Sequence, residues 1–184
     1  MKAGNTDNDL IDRILKGSKS AFRDLYAIHA KGHMLTCLRY IKNRVEAEDV
    51  LQEAYIKIYK DLNTFDKSKG KFTTWSNRVV INTCLMHLRK KKIFREIDNI
   101  EEVINNITVS ADAISNMTLQ ELTNLITKLP KGYRTVFNMY VIDGYKHSEI
   151  SEQLDISVST SKTQLMKARQ MLQKMTLEVN QHNH

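Results

Sequence analysis

The sequence predicts an all-α protein with two small helical domains joined by a linker, the second domain containing a helix-turn-helix. Three observations support this. One proline and six glycines among 184 residues leave few of the tight turns that sheets need. Apolar residues recur at helical spacing in both halves of the chain. Charge also divides the chain, because residues 1–92 have a net charge of +9, residues 93–121 have −5 and residues 122–184 have +3.

The charge pattern places the domain boundaries. The basic segment 1–92 is predicted to be the first domain, the acidic segment 93–117 the linker, and 118–184 the second domain. Scattered Ile and Val without a sustained helical period, among many Asn, Ser and Asp, are typical of a linker. The three segments predict two basic domains on either side of an acidic connection.

The overall composition limits the classes of function. A net charge of +7 indicates an anionic partner, either nucleic acid or a membrane surface. No apolar run approaches the ~20 residues that span a bilayer, and the N-terminus lacks a signal-peptide core. Two cysteines provide neither a disulfide framework nor a zinc spacing. We therefore expect a cytoplasmic protein without membrane insertion, metal or cofactor.

The first two helices are predicted from their end signals. A short helix over 7–16 is expected to begin after a cap at Thr6 and to end at Gly17. Ser18 or Ser20 then begins a longer helix with apolar residues in rough helical spacing.

The third helix, predicted over 45–62, has the clearest pattern in the chain. Its apolar face is predicted to be buried and consists of Leu51, Ala54, Tyr55, Ile58 and Leu62. Its opposite face carries Glu46, Asp49, Gln52, Glu53 and Lys60. Simple solvation explains this polar face, and so does a partner that binds carboxylates and amides.

A fourth helix is predicted from Thr73 or Thr74 to Lys92, after the polar, basic loop 63–72. Its buried stripe consists of Val80, Ile81, Cys84, Leu85 and Leu88. Its other side carries Trp75, Arg78, Val79, Asn82, Met86, Arg89 and Lys90. Such a surface suits single-stranded nucleic acid, because bases stack on rings and phosphates pair with cations. The alternative is that Trp75 packs on a neighbouring helix while the basic residues only aid solubility.

The second domain is predicted to hold four helices. One begins at Thr118 and ends before Pro130, and the next ends at Gly144. The segment KHSEISEQL forms the third, and the fourth runs from Val158 to about Met175. The three-residue turn between the last two helices is typical of a helix-turn-helix.

The last helix is predicted to be a recognition helix. Its inward stripe consists of Val158, Ser161, Leu165, Ala168, Leu172 and Met175, in which Ser161 is a local weakness. Its outward face consists of Lys162, Thr163, Met166, Lys167 and Gln170. Lys and Thr at the start of such a helix reach base edges and phosphates. The alternative is an ordinary helical hairpin with a solvated basic face.

Together these segments resemble bacterial RNA polymerase sigma factors of the extracytoplasmic-function (ECF) type. EAEDVLQEAYIKIYKDLNTFD resembles the family's D-x-x-Q-E segment, and FTTW and VINTCLMHLR follow it. LPKGYRTVFNMYVIDGYKHSEISEQLDISVSTSKTQLMKARQML resembles the family's C-terminal helix-turn-helix module. The chain departs from the family pattern at Met86, where many relatives have Asp, at Ser159, where Gly is common, and at Ser161, where an apolar residue is usual.

The resemblance implies a subunit without catalytic residues that binds core RNA polymerase and directs promoter-specific initiation of transcription. The residues matching the part that docks on the clamp helices of the large catalytic subunit are Asp49, Gln52 and Glu53. The surface matching the part that opens the −10 promoter element comprises the 63–72 loop with Trp75, Arg78, Asn82, Arg89 and Lys90. The positions matching those that face the −35 element are Thr160, Lys162, Thr163, Met166 and Lys167.

The resemblance also concerns partners. Promoter DNA and core polymerase are implied, and the acidic linker resembles the family segment that extends toward the RNA path of the polymerase. An anti-sigma factor is a common partner in the family, and nothing in the sequence encodes its identity.

Two other classes of protein compete with this interpretation. A helix-turn-helix regulator would bind duplex DNA without polymerase, but it has no need for the polar face of the third helix. A nucleic-acid enzyme would need a metal or catalytic cluster, and Asp49 with Glu53 lacks a third ligand.

Overall fold

The computed structural model describes residues 3–90 and 119–182, and every element in these two ranges is helical. The predicted all-α class is confirmed. The chain divides into two compact units, Met1–His87 and Leu88–His184. The predicted linker, 93–117, and both of its predicted boundaries lie outside the described residues.

Four α-helices and one 3₁₀ turn begin the chain. The helices are α1 (Ala3–Leu15), α2 (Lys19–Tyr40), α3 (Arg44–Asp61) and α4 (Phe72–Lys90). The 3₁₀ turn Leu62–Thr64 follows α3. Helix α2 packs on both α1 and α3, so it lies at the centre of the first unit.

The end of α1 and the start of α2 follow the predicted signals. Gly17 has φ +94°, a left-handed conformation that a residue with a side chain rarely adopts. The Ser18 hydroxyl caps α2 by accepting a hydrogen bond from the backbone N–H of Ala21 at 3.3 Å.

The two threonine caps predicted from the sequence are wrong. Helix α1 begins at Ala3, so Thr6 lies within the helix. Helix α4 begins at Phe72, and the Lys71 carbonyl accepts the first helical hydrogen bond from Trp75 N at 3.2 Å. Thr73 and Thr74 therefore lie inside the first turn.

The predicted apolar stripes of α3 and α4 are buried, and their members up to Leu85 belong to the core of the first unit. Every predicted member of the α3 stripe is buried, and Ala54 and Ile58 are fully enclosed. Every predicted member of the α4 stripe is buried too. Burial of these stripes turns the polar faces of both helices outward.

A buried histidine links three helices at the centre of this unit. His33 on α2 lies 2.9 Å from Tyr55 Oη on α3 and 3.1 Å from Ser76 Oγ on α4. The Ser76 hydroxyl donates to the Thr73 carbonyl at 3.4 Å, so it accepts from His33 Nε2–H. His33 Nδ1 then accepts the Tyr55 proton, and the neutral imidazole satisfies every partner. Burial lowers the pKa of His33 to about 4, with a smaller contribution from His29.

This depressed pKa predicts a pH-dependent stability. The unfolded chain binds a proton at His33 below about pH 6.5, whereas the folded protein binds it only near pH 4. The free energy of unfolding should therefore fall by about 1.4 kcal/mol per pH unit as pH decreases between those values. Urea unfolding at about pH 7 and about pH 5 measures this, with His33→Gln as the comparison, because the two proteins differ at this titratable group alone. An identical pH dependence in the two proteins would contradict the assignment.

The described part of the second unit contains two helices followed by the two helices of a helix-turn-helix. These are α5 (Leu119–Lys128), α6 (Lys131–Phe137), α7 (His147–Leu154) and α8 (Val158–His182). Helix α8 packs on α5, α6 and α7. Pro130 precedes α6 and Gly144 has φ +74°, as expected for the predicted helix boundaries.

Two features of this unit differ from the prediction. The single helix expected up to Gly144 changes at Asn138–Ile142 into a π-helical turn, in which Asp143 N donates to the Asn138 carbonyl at 2.9 Å. Helix α8 ends at His182 instead of about Met175. Among the described helices, none is long and apolar enough to cross a bilayer.

Candidate nucleic-acid and protein interfaces

The outer face of α3 forms an exposed seam that mixes polar and apolar side chains. The seam consists of Val45, Asp49, Gln52, Ile56 and Tyr59, all of them exposed. The intervals of four, three, four and three residues match the heptad spacing by which one helix packs along another. The structure places Asp49 and Gln52 together on this seam. The sequence interpretation missed its apolar members, which the same spacing could have identified.

A groove runs between α2 and α3 beside this seam. It measures about 830 Å³ and is lined by Lys19, Phe22, Arg23, Tyr26, Gln52, Tyr55, Ile56, Tyr59 and Lys60. Aromatic rings form its floor, with the Phe22 and Tyr59 centroids 4.9 Å apart in an edge-to-face arrangement. An apolar groove with a polar rim is the form of surface that accepts a partner helix.

Glu53 lies off the seam. Its Oε1 atom is 2.9 Å from Lys57 Nζ, on the side of α3 that faces α4. The structure therefore separates Glu53 from Asp49 and Gln52, with which the sequence grouped it.

The outer face of α4 is the predicted nucleic-acid surface. Arg78, Asn82 and Met86 are exposed at intervals of four residues, and exposed Arg89 and Lys90 occupy the last turn. The stripe provides cations for phosphates, an amide for a base edge and an apolar group beside them.

Trp75 differs from its neighbours on α4 because it is half-buried. Its ring packs 5.6 Å from Phe65 and 5.9 Å from Phe72, which lie 5.8 Å from each other. This aromatic cluster holds the 63–72 loop against the start of α4. Part of the Trp75 side chain is therefore packed, as the alternative interpretation expected, and the rest is accessible to solvent.

The 63–72 loop has its own turn. Asp66 Oδ1 accepts hydrogen bonds from both the backbone N–H and the hydroxyl of Ser68, at 2.9 and 2.6 Å. These bonds lower the pKa of Asp66. The turn displays Lys67, Lys69 and Lys71 as exposed cations next to the aromatic cluster.

The turn between α7 and α8 is built by polar side chains. Asp155 has φ +55°, a left-handed conformation that ends α7. The Ser151 hydroxyl donates to the Ile156 carbonyl at 2.6 Å, and Ser157 Oγ accepts from Thr160 N at 2.9 Å. These bonds fix the direction of α8 relative to α7.

The first turns of α8 display the predicted recognition residues unevenly. Lys162, Thr163 and Met166 are exposed and Lys167 is half-buried. Thr160 is half-buried as well, and its hydroxyl lies 2.8 Å from Ser157 Oγ. The outward face is thus made mainly by Lys162, Thr163 and Met166.

Two expectations for the inward face of α8 are wrong. Val158 is 40% exposed, because it is the first residue of the helix and lies at its open end. Ser161 is fully buried and is no weakness, since its Oγ lies 2.9 Å from His147 Nδ1. The His147 ring stacks on Tyr140 with centroids 4.4 Å apart. Partial burial lowers the pKa of His147, and the positive charges of Lys162 and Arg169 lower it further. Ser161 thus joins α8 to α7.

Residues 3–90 and 119–182 contain no group of three His, Cys, Asp or Glu side chains that could hold a metal ion. Cys37 and Cys84 are both buried, and neither forms a disulfide.

Comparison with protein families identifies both units. Residues 25–93 match the family model described as sigma-70 region 2. Residues 119–172 match the model described as sigma-70, region 4. The ECF RNA polymerase sigma factor SigW of Bacillus subtilis is 33% identical over 175 residues, covering 89% of this chain and 93% of SigW. The chain belongs to the ECF RNA polymerase sigma factors.

Other relatives agree. The ECF RNA polymerase sigma-E factor of Escherichia coli K12 is 28% identical to this sigma factor over 178 residues, covering 91% of the chain and 92% of the relative. The sigma factor RpoE of Bartonella quintana, solved in complex with the anti-sigma factor NepR, has a TM-score of 0.50 at 16% identity, covering 86% and 97% of the two chains. That structural likeness concerns the fold.

Membership in the family establishes the function. This sigma factor is a promoter-specific transcription initiation factor that works with core RNA polymerase and promoter DNA. A helix-turn-helix regulator acting without polymerase is excluded, because such a protein would not contain region 2.

Proposed function

We propose that the three surfaces of this sigma factor divide the work of initiation. The α3 seam docks on core RNA polymerase, the outer face of α4 with the 63–72 loop opens the −10 element, and α8 recognises the −35 element. Catalysis belongs to the polymerase, so the sigma factor is not itself an enzyme. It acts in the cytoplasm, where these partners are found.

The observation that carries the polymerase assignment is the seam itself. Asp49 and Gln52 lie between exposed apolar residues at heptad spacing, beside the aromatic groove. A partner helix laid along the seam would bury Ile56 and Tyr59 and would pair its basic groups with Asp49. Glu53 provides a second carboxylate for polymerase binding, on the side of α3 that faces α4.

The α4 surface suits a melted strand. Opened bases need an aromatic or apolar surface and a nearby row of cations, because unstacking costs a few kcal/mol per base. Trp75 and its aromatic cluster lie at one end of α4, with Arg78 and Asn82 one and two turns further along. Arg89 and Lys90 extend the cationic row toward the end of the helix.

The α8 surface suits a duplex. Lys162, Thr163 and Met166 project from the first turns of the second helix of a helix-turn-helix, where side chains reach the major groove. Thr160 and Lys167 border this group. The bonds at Ser157 and Ser161 hold the helix in place, which reduces the entropy that is lost on DNA binding.

An anti-sigma factor is proposed as a third partner. The Bartonella quintana relative of similar fold was solved with one. A regulator of this kind would act by covering a surface that polymerase needs.

Opening of the −10 element provides the test of this division. Holoenzyme made with Arg78→Ala and Asn82→Ala is expected to open a promoter carrying 2-aminopurine in its −10 element at least tenfold less, a loss of about 1.4 kcal/mol or more. Binding to a duplex that contains only the −35 element should remain unchanged. If promoter opening and binding to the −35 duplex fell by the same factor, these residues would not act specifically at the −10 element.

A further inference from the structure

Lys57 connects the polymerase-facing helix to the DNA-facing helix. Its Nζ atom lies 2.9 Å from Glu53 Oε1 on α3. The same atom lies 3.4 Å from Thr83 Oγ1 and 3.7 Å from Met86 Sδ on α4. Because Met86 belongs to the exposed α4 stripe, the ammonium group lies at the border of the proposed DNA surface.

The two sides of Lys57 differ in charge. On α3 its partner is a carboxylate, whereas both groups that it contacts on α4 are uncharged. The Lys57 and Glu53 side chains are 30% and 44% exposed, so their ion pair is partly solvated. Pairs of this kind contribute little to stability. On α4, Lys57 contacts only a hydroxyl and a thioether, so neither of these groups would compete with a DNA phosphate for its charge.

We propose that Lys57 is a phosphate-binding residue of the −10 surface, whose ammonium group is held by Glu53 in the free protein and passes to DNA when polymerase engages Glu53. The inference rests on the proposed function, because it uses the polymerase and DNA surfaces assigned there. Polymerase binding and DNA binding are thereby coupled through one ion pair.

Release of Lys57 can be imitated without polymerase. Glu53→Gln removes the charge that holds the ammonium group and keeps the shape of the side chain. The free variant is expected to bind a fluorescein-labelled single strand of about 12 nucleotides several times more tightly than the parent protein. Its plot of log affinity against log salt should steepen by about 0.7, the contribution of one single-strand phosphate.

The chain offers a matched control on the same helix. Arg44 and Glu48 form a second pair of the same i,i+4 type, also at 2.9 Å, with a more exposed arginine as the cation. Glu48→Gln removes the same charge without releasing Lys57, so DNA binding should change little. If both variants gain affinity equally, the effect is one of net charge and the proposal is wrong.

The holoenzyme provides the second half of the test. Lys57→Met should reduce the salt slope for binding a promoter fork with a single-stranded −10 element by about 0.7, and Lys57→Arg should restore it. In the free protein, the double variant Glu53→Gln with Lys57→Met should bind the labelled single strand no more tightly than the parent protein does. Thermal unfolding confirms that each variant is folded.

An unchanged salt slope with Lys57→Met would overturn the proposal. The titration of the free protein needs no polymerase, so its outcome does not depend on the proposed function. A failure of the proposed function would be seen separately, because the parent protein would then not bind core polymerase.

Discussion

Replacing Ile56 with glutamate is expected to weaken the binding of this sigma factor to core RNA polymerase by at least about 30-fold, which corresponds to about 2 kcal/mol. Ile56 is 56% exposed in the free protein, so the new carboxylate is solvated and the fold is kept. On the α3 seam, however, a docked polymerase helix would bury that charge against the aromatic groove. Titration of labelled core enzyme measures the effect.

The control for this variant comes from the neighbouring helix. Leu35 on α2 is 58% exposed and does not line the groove. Leu35→Glu changes the charge and the exposed apolar area in the same way, and it should leave polymerase affinity close to that of the parent. Equal affinities of the Ile56 and Leu35 variants would mean that polymerase docks elsewhere.

Loss of Lys162 and Thr163 together is expected to remove most of the selectivity at the −35 element. Both side chains are exposed on the first turns of α8, and each lost base contact costs ~1–3 kcal/mol. Lys162→Ala with Thr163→Ala should therefore reduce the preference for a matched over a mismatched −35 sequence by at least about tenfold. Transcription from paired templates that differ only in this element measures the preference.

Lys174 provides the matched control for charge. It is an exposed lysine on the same helix, three turns beyond Lys162. Lys174→Ala should leave the ratio of matched to mismatched transcription unchanged. If the double variant lowered transcription from both templates equally, its two side chains would contact phosphates and not bases.

The sequence predicted the helices and their buried faces well, because the period of apolar residues follows directly from helix geometry. The stripes of α3 and α4 are buried as expected, and Gly17 and Gly144 end helices where left-handed backbone is needed. The caps at Thr6 and at Thr73 or Thr74 were wrong, since a threonine near a helix start does not specify which carbonyl begins the hydrogen-bond series.

Features that depend on contacts between helices could not be predicted. The His33 bridge joins residues that lie 22 and 43 positions apart in the chain, and nothing local indicates it. The π-helical turn at Asn138–Ile142 also changes which apolar residues are exposed, leaving Tyr140, Val141 and Ile142 between 37% and 46% accessible.

The candidate surfaces were predicted in part. Exposed polar side chains on α4 and α8 followed from the helical wheel, so Arg78, Asn82 and Lys162 lie where they were expected. The contacts that these helices make with other helices did not follow. Lys57, which pairs with Glu53 within α3, also contacts Thr83 and Met86 on α4, and Ser161 is satisfied by His147 from another helix.

Run-off transcription tests the central claim most directly. Purified bacterial core polymerase is mixed with this sigma factor and a library of promoters randomised at the −10 and −35 elements, and the transcribed templates are sequenced. We predict transcripts only when the sigma factor is present, from templates that share one −10 and one −35 sequence. Binding of the protein to DNA without any sigma-dependent transcript would contradict the claim.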